Sequence, residues 1–280
     1  MGSALVVAPE AETTGGWCWQ SHQVPPGQSS WCRLRHCSQI IAPLCRFDRV
    51  LAALGGGYTP GMQVFPLPDR RTAGRLLAGK LIDLCSEQTV VLALPRGGVP
   101  VASEIAQVCG ATLDVIVTRK IGLPRQPEFG IGAIAEGMPG PVYDDRMLSR
   151  LDLTPSALAP VAEAERMELE RQVRVYRQGR PRPEVAGRPV IVVDDGLATG
   201  VTARAALRSL RAGTFGSGAP GSLVLAVPVA PPSAAEALGA DADRVVTLAT
   251  PRRFASVGEW YESFPQLTDA DVLALLAPWR

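Results

Sequence analysis

Residues 190–202 read V-I-V-V-D-D-G-L-A-T-G-V-T, and they decide the fold. Four consecutive apolar β-formers, Val190 to Val193, suit a short strand buried on both faces, as in a parallel sheet covered by helices. Two carboxylates follow. Successive strand side chains point to opposite faces, so Asp194 and Asp195 can share one ligand only where the strand stops and the backbone turns. That puts them at the carboxyl edge of the sheet, where open α/β sheets bind ligands. The small loop Gly196 to Thr202 then runs into a helical pattern carried by Val201, Ala205, Ala206 and Leu210. Such a loop can hold phosphate: first-turn N–H groups are free, the helix dipole is positive there, and the Thr199 and Thr202 hydroxyls can donate.

Acids beside a phosphate cradle should repel an anion. They make sense if the ligand also carries hydroxyls, because ionised carboxylates are pure acceptors and bind diols through charge-assisted hydrogen bonds. A sugar phosphate fits. On these thirteen residues the chain resembles the type I phosphoribosyltransferases, whose motif for phosphoribosyl pyrophosphate (PRPP) has this form. The resemblance implies that Asp194 and Asp195 hold the ribose hydroxyls, and that Gly196, Ala198, Thr199, Gly200 and Thr202 hold the 5′-phosphate. It also implies an α/β fold, a mostly parallel, Rossmann-like sheet flanked by helices with a small C-terminal hood. Members that use 6-oxopurines carry an Asp near the middle of this loop, where the present chain has Ala198, as adenine-type members do.

A second strand, loop and helix unit lies upstream. T-V-V-L-A-L, residues 89–94, reads as a buried strand, followed by Pro95-Arg96-Gly97-Gly98-Val99-Pro100 and a helix through Ile105. Adjacent glycines let backbone amides approach an anion, and Arg96 adds a fixed positive fork. In the family this loop binds pyrophosphate, often through a non-proline cis peptide, which implies that role for Arg96, Gly97 and Gly98. A third strand is expected at Leu113 to Thr118, ending in Arg119 and Lys120, two cations suited to charge developing on a leaving group. Leu123 to Gly130, with Pro124, Arg125 and Pro127, reads as an exposed loop, and the resemblance implies a lid that closes there. Ile131 to Ala135 resumes as a strand.

The remaining elements support these units. Asp69 caps a helix with Ala73, Leu76, Leu77, Leu81 and Leu84 on its apolar side. Within it, Gly74 to Lys80 imitates a nucleotide-binding P-loop, but no strand precedes it and Leu81 stands where Ser or Thr is needed. Thr154 and Pro155 open a long helix to about Tyr176 whose charges form a solvated face, packing on the core or contributing to a homodimer. Gly213 to Gly221 is a turn, and strands are expected at 223–229 and 244–248. Phe254, Trp260, Tyr261 and Phe264 make a dense aromatic tail suited to stacking on a planar base or to simple packing onto the domain. The resemblance implies that Phe254 and Trp260 belong to the base-selecting hood.

Composition bounds the rest. The chain has 280 residues and a net charge of +1, with no basic block, which argues against nucleic acid or a membrane surface as partner. No apolar run approaches the roughly twenty residues that span a bilayer, and the N-terminus lacks a signal-peptide order, so a cytoplasmic protein is expected. Cys18, Cys32, Cys37 and Cys45 lie near His22 and His36 without the spacing of a structural zinc site. Residues 1–61 read as an extension, disordered or not native, with Met62 a possible start of the domain at 62–280. The reaction the resemblance implies is attack of a nucleobase or related nitrogen acceptor on C1 of PRPP with Mg²⁺ present, a step of nucleotide salvage. Two other classes stay open: a PRPP-binding regulator without transfer, and a phosphoester hydrolase using Asp194.

Overall fold

The computed structural model describes residues 65–123 and 126–280. The boundary at residue 62, the Met62 start and the Cys/His residues of 18–45 lie outside the described residues. Five parallel strands form the central sheet: β1 (Val90–Ala93), β2 (Thr112–Val115), β6 (Pro189–Val193), β7 (Ser222–Val229) and β8 (Arg244–Ala249). Their order across the sheet is β2-β1-β6-β7-β8. β1 pairs with β2 on one side and with β6 on the other, Val90 to Ala93 lying against Val190 to Val193.

Alternation along these strands builds two cores. Val91, Ala93, Ile191, Val193, Val224, Ala226 and Val246 face one side. There they meet α1 (Arg70–Leu81), α2 (Gly98–Cys109), α4 (Ala159–Arg177) and α7 (Asp269–Leu276). Val90, Leu92, Val190, Val192, Leu223, Leu225 and Val227 face the other side, covered by α5 (Val201–Arg211) and α6 (Pro232–Leu238). Burial on both faces is why each strand reads as an unbroken apolar run.

Local chemistry sets the helix ends. The Asp69 carboxylate accepts from the Thr72 N–H at 2.7 Å and starts α1 as expected. The P-loop look-alike lies inside α1, where Gly74 packs against the Val101 backbone of α2. Cys85, just past α1, is joined to Cys109 at the end of α2 by a disulfide with Cα atoms 5.0 Å apart. The helix expected from Thr154 begins as a 3₁₀ turn, Pro155–Leu158, before α4 proper. Its last residue, Arg177, is buried and bonds Glu136, Asp114 and the Val115 carbonyl.

Two expectations need correction. The strand expected at 113–118 ends at Val115, and Thr118–Leu123 is β3 of a second sheet. The exposed loop expected at 123–130 is largely β4 (Gln126–Ala135), antiparallel to β3 and also paired with β5 (Val142–Tyr143). Arg119 and Lys120 are therefore neighbours within a strand rather than a pair at a strand end. Prolines and glycines hid this hairpin from periodicity, because its stability comes from cross-strand pairing and from packing on α5 through Ala133, Ala135, Val201 and Ala205. The short helix α3 (Asp145–Arg150) follows β5, capped by Asp144. Among the described residues no helix is long and apolar enough to cross a membrane.

Candidate active site

The strand order puts the topological switch point between β1 and β6, since the chain leaves β1 for β2 on one side and later builds β6, β7 and β8 on the other. Ligands of such sheets bind at the carboxyl ends of the strands flanking that point. Both loops singled out from sequence start there. Leu94 N–H donates to the Val193 carbonyl at 2.8 Å, tying the two strand ends together. The Pro95–Arg96 peptide is cis, as the family resemblance implies. Gly97 is then so near Asp195 that a Cβ at this position would collide with the carboxylate, and Gly98 packs on the Val193 carbonyl. Only glycine lets the first loop lie against the second.

Asp194 and Asp195 sit beyond the last residue of β6, half-buried. One Asp194 oxygen, Oδ1, accepts the Asp195 N–H at 2.9 Å. One Asp195 oxygen, Oδ2, accepts from Arg70 Nε at 2.8 Å. Arg70, at the start of α1, is 8% exposed, donates through Nη1 to the Pro265 carbonyl at 2.8 Å and lies over the Phe264 ring at 3.7 Å. The Tyr261 hydroxyl donates to the Asp195 main-chain carbonyl at 2.6 Å. Burial holds the Asp194 carboxyl well above the usual carboxylate range, and the adjacent Asp195 charge adds to the effect. Burial pushes Asp195 the same way, with Arg70 opposing it.

The loop after the acids is anchored by Leu197, whose N–H donates to the Val229 carbonyl at 2.9 Å. Ala198 and Thr199 stand exposed, and Gly200, at φ +72°, turns the chain into α5. No side chain caps that helix, so the amides of its first turn, including that of Thr202, face outward for an anion.

The other expected site residues are distributed less evenly. Arg96 is turned toward the C-terminal tail, with Nη1 2.6 Å from the Leu267 carbonyl and Nε 3.5 Å from Asp269. Arg119 is paired at 2.7 Å with Glu165 of α4, one of the helix charges read as a solvated face. Lys120 takes the alternate face of β3, its stem over Gly130 close to Val201. Phe254 stacks on Trp260, ring centroids 6.3 Å apart, and Phe65 meets Trp260 edge-on at 5.6 Å. Phe65, Trp260, Leu248 and Thr250 line a cavity of about 530 Å³ at the carboxyl end of β8. Among the described residues no three His, Cys, Asp or Glu side chains gather as a metal site. Sequence reasoning missed Arg70. It lies 125 residues from Asp195, and next to the helix-capping Asp69 it carries no local sign of a partner.

Comparison with known proteins agrees with this architecture. Residues 68–260 match the family model of the phosphoribosyl transferase domain. A Mycobacterium tuberculosis protein named "Putative phosphoribosyl transferase Rv0571c" is 44% identical over 208 residues, which cover 74% of this chain and 46% of that protein. The chain thus spans about half the length of the curated relatives it matches. The crystal structure of TT1426 from Thermus thermophilus superposes with a TM-score of 0.62 at 43% identity, covering 76% of this chain and 98% of that one. With the switch-point fold in place and the family model matched over residues 68–260, this chain belongs to the type I phosphoribosyltransferase family.

Proposed function

We propose that the chain transfers the ribose 5-phosphate of PRPP to a nitrogen base and releases pyrophosphate. The observation that carries this reading is the adjacency, at one switch point, of two carboxylates and an uncapped helix N-terminus. An acid pair suits a diol, a helix start suits a phosphate, and PRPP presents both on one ribose. Asp194 accepts its main-chain bond through Oδ1 and Asp195 meets Arg70 through Oδ2, so both acids are oriented by the protein itself at the end of β6.

In the reaction, a ring nitrogen of the acceptor forms a bond to C1 while the C1–oxygen bond to pyrophosphate breaks, its electron pair leaving with the pyrophosphate. The attacking nitrogen then gives its proton to water. The transition state has oxocarbenium character, as in glycoside hydrolysis. Asp194 and Asp195 hold the ribose and favour the cationic ring. Gly196 to Thr202 hold the 5′-phosphate. Gly97 and Gly98 offer amides to the pyrophosphate, with Arg96 and Lys120 supplying positive charge. Arg119, committed to Glu165, acts at one remove by fixing β3. Trp260 and Phe254 border the acceptor.

The donor set fits Mg²⁺ that arrives with its phosphates. This ion is usually held by one or two carboxylates plus substrate oxygens and water, and Asp194 and Asp195 are the residues to hold it. When bound, it supplies charge neutralisation on the pyrophosphate oxygens. The test uses the full chain with PRPP, Mg²⁺ and a panel of purine and pyrimidine bases, reading pyrophosphate release. Release dependent on one base supports transfer and names the acceptor. PRPP binding without release under any base favours the regulator, and no binding removes the reading.

A further inference from the structure

We propose that Arg70 is a positioning residue for Asp195, held on target by a C-terminal strap, Tyr261–Leu267, that lies beyond the stretch matched by the family model. The inference rests on the proposed PRPP reading and adds to it a residue and a segment.

Each contact of Arg70 has a separate consequence. Its Nε bonds Oδ2 of Asp195 at 2.8 Å, which fixes that oxygen of the carboxylate. Its Nη1 is tied to a main-chain carbonyl of the strap, Pro265, and its plane rests on Phe264. A guanidinium fixed by one hydrogen bond and one ring face has little freedom to turn, so the carboxylate it holds keeps one orientation. The strap is itself zipped to the segment that starts α1. Leu67 N–H donates to the Trp260 carbonyl, Glu262 N–H to Leu67 and Ser263 N–H to Pro68, at 2.7, 2.7 and 3.0 Å. Tyr261 closes the loop by donating to the main chain of Asp195. Asp195 is thus gripped at its carboxylate and at its carbonyl by residues that converge on one strap.

A plain structural ion pair would stabilise the fold without caring what Asp195 binds. The two roles separate in a double-mutant cycle.

The experiment measures PRPP affinity calorimetrically, with Mg²⁺, for the full chain and for Arg70→Met, each with Asp195 and with Asp195→Asn. A positioning role predicts that Arg70→Met weakens PRPP binding by about tenfold in the native background and by less than about twofold once Asp195 is Asn, because coupled residues are non-additive. Equal fold-changes in both backgrounds, or none in either, overturn the proposal. If Arg70→Met does not fold, Phe264→Ala and Arg70→Lys carry the cycle, since each loosens the guanidinium grip while keeping the charge. Should the native chain bind no PRPP, the proposed function falls. The orientation of the Asp195 carboxylate in a crystal structure of Arg70→Met or Arg70→Lys then decides the positioning role, and an unchanged carboxylate overturns it.

Discussion

Asp194 and Asp195 carry the cost of the site within the fold. Side by side and half-buried, both carboxyls are held above their ordinary range, Asp194 the more strongly, first by burial and then by its neighbour's charge. A raised folded-state value means that the folded chain binds a proton the unfolded chain has released. Stability therefore falls as pH rises from the ordinary Asp value, about 3.9, to the raised one, and stays reduced above it. Asp194→Asn removes that cost. Its melting temperature should exceed that of the native chain at neutral pH, with the gain vanishing as pH falls toward the ordinary Asp value; thermal melts from acid to neutral pH test this. A variant that melts lower at neutral pH would mean that the Asp194 charge stabilises the fold. The glycines of the first loop answer to the same crowding, since Gly97 leaves room for the Asp195 carboxylate.

Elements differ in how they are fastened to the sheet. The β3–β4 hairpin touches the core through packing on α5 and through a buried charge cluster at its end, where Glu136, 1% exposed, accepts from Arg177 at 2.8 Å and from Arg182 at 2.8 Å. Arg177 also bonds Asp114, so α4, β2 and the base of the hairpin are joined at one guanidinium. Removing Glu136 leaves the buried Arg177 with Asp114 as its one remaining carboxylate partner among the described residues. Glu136→Ala should cost about 3–5 kcal/mol in a urea unfolding experiment. A loss below about 1 kcal/mol would mean that the cluster behaves as an exposed pair.

These fastenings also explain what the sequence did and did not reveal at this scale. β1, β6, β7 and β8 were legible because burial on both faces leaves an unbroken apolar run. The start of α1 and the turn at Pro155 were legible because caps are local chemistry. Of the hairpin only Ile131 to Ala135, the second half of β4, was legible: Pro124, Pro127 and Gly130 read as loop residues, and the alternation that makes the rest a sheet shows only against α5. The short helix α7 was missed as well, though Thr268 and Asp271 form a capping box, a signal that stood in the sequence.

Across the whole molecule, distant segments meet at the switch point. Asp194 and the loop that follows it could be read from thirteen consecutive residues, because one strand, one turn and one helix start carry the motif. Arg70, Tyr261 and Phe264 could not, since their meaning depends on α1 and the C-terminal strap closing over the end of β6 from opposite ends of the described chain. The aromatics of the tail divide into a Trp260 side, lining the cavity at β8, and a Tyr261–Phe264 side that grips Asp195 and Arg70. The disulfide between Cys85 and Cys109 likewise depends on α1 and α2 lying together.

The central claim is that the acid pair after β6 binds the ribose of PRPP. Calorimetric titration of PRPP with Mg²⁺ into the full chain and into Asp195→Ala tests it most directly. The account predicts saturable binding to the native chain and a loss of about 1.5–3 kcal/mol in the variant, the worth of a hydrogen bond to a charged group. Equal affinity of the two proteins for PRPP would contradict it.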